Sequence, residues 1–123
     1  MSVLTEGRRP GDFILSELPG TLSRDTVTVD VPAGSLSPGY VLGIVSATGH
    51  YAPYDNSASD GTEEAAGVLY AELVNAGPAP ASMTGVVINF GAEVRKDGLT
   101  WLSDDDEAEG LVDLAAVAIK ARD

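Results

Sequence analysis

The segment from Arg24 to Leu69 constrains this chain more than any other, because turn-forming residues cut it into pieces too short for helices. Thr26-Val27-Thr28-Val29-Asp30-Val31 alternates strictly, as a half-buried strand does, with Val27, Val29 and Val31 on one face. Pro32-Ala33-Gly34 ends that strand, and Ser37-Pro38-Gly39 forms a turn. The apolar run from Tyr40 to Val45 reads as a buried strand. Gly49 turns the chain into His50-Tyr51-Ala52-Pro53-Tyr54, where Pro53 predicts a sheet edge or bulge because it has no N–H for a ladder. Asp55 to Thr62 is a polar loop, and Ala66 to Leu73 returns as a strand.

The flanks complete a mainly β pattern. Residues 1 to about 21 show no sustained periodicity and are punctuated by Gly7, Pro10, Gly11, Pro19 and Gly20 around one apolar cluster, Phe13-Ile14-Leu15. They predict an extended arm over residues 1–24 ahead of a single compact domain over 25–123. After the loop from Asn75 to Ser82, strands are expected over Gly85 to Phe90 and Ala92 to Val94, with Gly91 as a bulge. Lys96-Asp97-Gly98 is a hairpin signal leading into Leu99 to Leu102. Ser103 is a helix cap with Asp104, Asp105 and Asp106 in the first turn, where carboxylates meet the positive end of the helix dipole. Ala108, Leu111, Val112 and Ala115 share one helical face, and Gly110 weakens the helix by about 1 kcal/mol relative to alanine. From Val117 the period shifts to two, which predicts a closing strand.

Composition narrows the function classes. At 123 residues with no cysteine, one domain held without disulfides or thiolate metal sites is expected. A net charge of −12 argues against nucleic acid or an anionic membrane as partner. No apolar run approaches the roughly 20 residues of a membrane helix, and the first residues lack a signal-peptide pattern.

Candidate chemistry is sparse. His50 is the one histidine, it sits on a hairpin beside Tyr51, and no G-x-S-x-G elbow is present. Asp55-x-Ser57-x-Ser59 begins like a calcium loop, but Asp60 stands where glycine is needed and Ala66 where the last glutamate belongs. Asp104-x-Asp106 fails at Ala108 and Glu109. Phosphate-loop and dinucleotide motifs are missing. Trp101 reads as a core residue or an interface anchor. The expectation is a non-enzyme with no catalytic residue, no metal and no cofactor.

The order of these signals resembles the lambda-type head decoration proteins of tailed phages, a family of capsid-stabilising proteins. The matching pieces are Arg24-Asp-Thr-Val-Thr-Val29, Pro38-Gly-Tyr-Val-Leu-Gly43, Ala47-Thr-Gly-His-Tyr51 with Pro53-Tyr-Asp55, and Asp60-Gly61 leading to Ala65-Ala-Gly-Val-Leu69. Gly91-Ala-Glu-Val94 and Leu99-Thr-Trp101 follow, and together they span about residues 11 to 122. Leu102 stands where members often have proline after the tryptophan, and Ala118-Ile119 where they commonly carry Gly-Ile.

The resemblance implies a β-clip or small β-barrel-like body with one C-terminal helix. It implies homotrimers that sit on local threefold positions of the expanded head, cement the major capsid protein and withstand internal DNA pressure. The location implied is the outer capsid surface of the virion, reached from the host cytoplasm during assembly. The arm residues expected to bind the capsid are Phe13, Ile14 and Leu15 with Thr26, Val27 and Val29. Ordering about 20 arm residues on a partner would cost roughly 30 kcal/mol, which needs on the order of 1,200 Å² of apolar burial to offset. The alternative is a generic β-barrel binding module for a surface protein or carbohydrate, which needs an exposed aromatic groove.

Overall fold

The apolar runs that lack alternation do so because their two faces serve two different cores. The computed structural model describes residues 11–18, 22–32, 34–103 and 106–122. In chain order the strands are β1 (Ile14–Glu17), β2 (Arg24–Val31), β3 (Gly34–Leu36), β4 (Val41–Ile44), β5 (Tyr51–Pro53), β6 (Ala65–Leu69), β7 (Leu73–Asn75), β8 (Ala81–Ile88), β9 (Ala92–Arg95) and β10 (Ile119–Arg122). One helix, α1 (Glu107–Ala116), precedes β10.

Strands β2, β5, β4, β6 and β8 close into a barrel in that order. The long antiparallel β2–β8 pair, from Arg24 opposite Ile88 to Val31 opposite Ala81, completes the circuit. Its interior holds Val29, Val31, Leu36, Leu42, Tyr51, Leu69 and Val87. The adjoining residues Val41, Val68 and Ile88 point the other way. They meet Phe13, Val94, Leu114 and Ile119 in a second core, beneath α1 and a three-stranded sheet. Successive side chains of a strand point to opposite faces, so a strand buried on both sides reads as a continuous apolar run. In the three-stranded sheet β9 is central, with β1 antiparallel on one side and β10 parallel on the other. β3 and β7 form a short separate ribbon.

Four expectations need correction. The expected arm is packed from Gly11 onward: the Gly11 N–H donates to the Tyr70 carbonyl at 2.8 Å, the Arg95 N–H donates to the Phe13 carbonyl at 2.7 Å, and Phe13 is fully buried. A four-residue strand with a register shift between Ile14 and Ser16 is too short and irregular to show a period. Residues 1–10 and 19–21 lie outside the described residues.

Lys96-Asp97-Gly98 forms a 3-10 turn, not a hairpin. The flanks of β9 are already taken by β1 and β10, so the chain cannot fold back on it. Residues 99–102 instead touch the barrel through one parallel bridge, Thr100 with Tyr40. The strand expected over Ala66 to Leu73 is two strands, β6 and β7.

The helix begins later and presents a different face. Its N-cap, Asp106, makes no side-chain capping bond; the carboxylate instead accepts from the Asn56 N–H at 3.3 Å. Asp104 and Asp105 lie outside the described residues. Gly110 and Leu114 are buried, whereas Ala108, Val112 and Ala115 are exposed. Gly110 is needed where it stands. A Cβ there would lie 2.8 Å from Trp101 Cη2 and 3.0 Å from Tyr54 Cε2, inside van der Waals contact, so only glycine lets α1 approach the ring.

Candidate functional site

The residues expected to contact a partner divide into two groups. Phe13 and Val29 are fully buried, one in each core. Ile14 and Val27 are half-buried and pack against those cores. Leu15, at 47%, and Thr26 are exposed. The outward surface of this region is therefore Leu15, Thr26 and one edge of β1, which among the described residues has a strand neighbour only on its β9 side.

β1 is tied to the barrel by charge. The Arg24 Nε donates to Glu17 Oε2 at 2.9 Å, and its guanidinium lies 4.1 Å from the Tyr70 ring centroid. The hydrogen bond from Arg24 holds the Glu17 carboxyl below its usual range. This geometry fixes the start of β2 against β1, whereas an isolated exposed ion pair would contribute little.

Trp101 packs against another aromatic of the same chain. It is half-buried and meets Tyr54 edge-on, with centroids 6.1 Å apart and planes at 71°. Tyr54 is buried, and its hydroxyl has no hydrogen-bond partner among the described residues. Burial, then the carboxylates of Asp113, Asp106, Glu109 and Asp55, push that hydroxyl up to about 12.

The polar groups that sequence reading weighed for chemistry are engaged structurally. Asp55 Oδ1 accepts from the Ser57 N–H and hydroxyl, and Asp60 Oδ1 accepts from the Thr62 N–H and hydroxyl. These bonds hold both carboxyls below the usual range and build the loop. Among the described residues no group of three or more acids or histidines is arranged to hold a metal ion. His50 Nδ1 lies 2.9 Å from Asp30 Oδ1, and the Ser82 hydroxyl donates to the same oxygen at 2.9 Å. Aspartate is thus in the middle, with serine and histidine both bound to it. A nucleophilic serine needs the histidine as its own neighbour, to take its proton.

Two charged surfaces escaped the sequence reading. A cleft of about 570 Å³ opens between the second half of α1 and residues 61–66, with Glu63, Glu64 and Asp113 around a floor that includes Ile44, Ala66 and Val117. Elsewhere, the outer face of the β1–β9–β10 sheet carries Arg95, Lys120 and Arg122. Both depend on register and on which loop meets which helix, and neither is visible as a run of charge.

A family model described as bacteriophage lambda head decoration protein D matches residues 3–119 of the 123. No curated protein matches the chain at a significant level.

Proposed function

The chain belongs to the bacteriophage lambda head decoration protein D family, and from that premise we propose that it cements the expanded phage head as a homotrimer at local threefold positions. It joins adjacent major capsid subunits and stabilises the shell against the pressure of packaged DNA. The family is one of structural capsid proteins, which places its members on the virion. In this reading the chain docks on the outer capsid surface after assembly in the host cytoplasm, and its partners are the capsid protein and itself. Nucleic acid is not among them, since a net charge of −12 would be repelled by phosphate.

The observation that carries the reading is the family match over nearly the whole chain. The fold supports a capsid contact at one end of the β1–β9–β10 sheet. Ile14 pairs with Val94, and Ala121 pairs with Val94 from the other side. The start of β1 therefore lies at the end of the sheet where β10 finishes. The open edge of β1, with Leu15 exposed beside it, can accept or extend a strand of the capsid protein. Because β1 is already paired with β9, its ordering is not charged to binding.

The test is decoration of expanded shells by the intact chain and by a variant lacking residues 1–10. The expected result is a folded trimer that no longer decorates. Undiminished decoration would overturn the role given to the N-terminal segment. A deletion through residue 24 is not a clean test, because it removes β1 and the buried Phe13 with it. The rival binding module calls for an exposed aromatic groove, and among the described residues Phe90, beside the Gly91 turn, is the one aromatic among the exposed large apolar side chains.

A further inference from the structure

Three cations stand together on the outer face of the β1–β9–β10 sheet. Arg95, Lys120 and Arg122 are exposed on β9 and β10, while Ala92, Val94 and Ile119 of the same strands are buried. The parallel register sets Arg122 beside Arg95 and Lys120 beside Glu93. Like charges directly opposite each other on a sheet are unfavourable. Arg122 bonds Glu93, whereas the side chains of Arg95 and Lys120 have no partner among the described residues. At one end of this sheet Glu17, Leu18, Gly91, Glu93, Ala118 and Lys120 help line a shallow depression of mixed character, and Phe90, 51% exposed, precedes Gly91 in the chain.

The cleft beside α1 has the opposite character. Among the described residues, no basic side chain lines it. Glu63 Oε2 accepts from the Gly61 N–H at 2.7 Å, and Asp113 Oδ2 accepts from the Ala65 N–H at 3.0 Å. Each carboxylate is thereby held in place with its second oxygen left to receive a donor. The floor of Ile44, Ala66 and Val117 suits the aliphatic stem of a lysine or arginine, or an apolar knob.

We propose that the cationic outer face of the β1–β9–β10 sheet of one copy docks into the acidic cleft of the next, making the trimer a head-to-tail ring. The inference rests on the trimer reading above and specifies how its copies join. A threefold ring needs a heterologous contact, in which two different patches of one chain meet. Pairing like with like would set the cleft carboxylates against one another, while pairing sheet with cleft neutralises both. The two patches also adjoin on each protomer. Val117 lines the cleft, and Lys120 lies three residues further along the chain. Adjoining patches turn each added copy through a large angle, so the assembly closes after few copies, whereas patches at opposite poles would run on as a filament.

Charge reversal tests this by sedimentation velocity at micromolar concentration. Arg95→Glu with Lys120→Glu makes the sheet face acidic, and Glu63→Lys with Glu64→Lys makes the cleft basic. Each pair alone is expected to weaken the trimer about tenfold or more, the low end for close interfacial charges. All four substitutions together restore complementarity and the trimer. Should a variant misfold by circular dichroism, salt decides on the intact chain: its trimer must loosen about tenfold between low salt and 0.5 M as screening shortens the range of charge. A trimer indifferent to salt and to both reversals overturns the ring and leaves the trimer reading standing. An intact chain that is monomeric throughout overturns both. Reversals that spare the trimer and abolish only shell binding assign these faces to the capsid protein and overturn the ring.

Discussion

Replacing Gly110 by alanine sets helix propensity against packing, and the structure decides the sign. In an exposed helix the substitution gains about 1 kcal/mol. Here the new methyl would lie 2.8 Å from Trp101 Cη2 and 3.0 Å from Tyr54 Cε2, and closer still to Trp101 Cζ3. Comfortable carbon–carbon separation is about 3.5–4.0 Å, so ring or helix must retreat by more than an ångström. The indole is backed by Tyr54, which is itself buried, and cannot retreat without disturbing the second core. Overpacking of this kind costs about 1–3 kcal/mol. The expected net loss is about 1 kcal/mol, or roughly 3–6 °C in Tm for a chain of this size. Urea unfolding followed by emission of Trp101, the single tryptophan, reads it directly, with protein concentration matched so that self-association does not distort the comparison. In a Trp101→Phe background, monitored by circular dichroism, the smaller ring leaves room and the alanine should become neutral or stabilising. An alanine variant more stable than the parent by about 1 kcal/mol would refute the claim that α1 is seated on the tryptophan.

Two further outcomes follow from backbone and burial. Ala118 has φ 61°, a left-handed conformation just beyond the helix, so Ala118→Gly should stabilise by about 0.5–1 kcal/mol in thermal melts, relief of strain exceeding the entropy of the added glycine; a loss would refute it. The Tyr54 hydroxyl keeps its proton to about 12 when folded and releases it near 10 when unfolded, so stability is full below pH 10 and falls through that window by up to about 1.4 kcal/mol per pH unit. Tyr54→Phe should flatten the fall, leaving the smaller slope of Tyr40, which burial also raises, and at neutral pH should match or exceed the parent by about 1 kcal/mol. An unchanged alkaline slope in the Phe variant would sink this account.

What the sequence disclosed depended on whether one face or two were buried. β2 announced itself by alternation because its valines face the barrel while Thr26 and Thr28 face solvent. β4 and β6 were legible as buried, but nothing in Val41-Leu42 or Val68-Leu69 says that neighbours serve different cores; that follows from a second layer laid over the barrel. The inward face of α1 is not legible because its centre is a glycine, which carries no hydrophobic signal and matters for its lack of a side chain. The packing of residues 11–17 is not legible because Phe13 finds its burial about 80 residues away, against β9, a partner no local window contains. The charged surfaces were hidden for the same reason, since cross-strand register brings Arg95 to Arg122.

The three-stranded sheet also sets a timetable for synthesis. β1 leaves the ribosome before every barrel strand, yet its partner β9 begins at Ala92, and among the described residues the other flank of β9 is filled by Ile119–Arg122. The five barrel strands can pair while translation continues, but Phe13 stays uncovered until β9, α1 and β10 have emerged. Such long-range pairing is slow and exposes apolar surface meanwhile. A chain stalled or cut shortly before Ile119 should therefore be prone to aggregate despite a complete barrel. β10 acts as a latch, so that only copies that carry it reach a state fit to assemble.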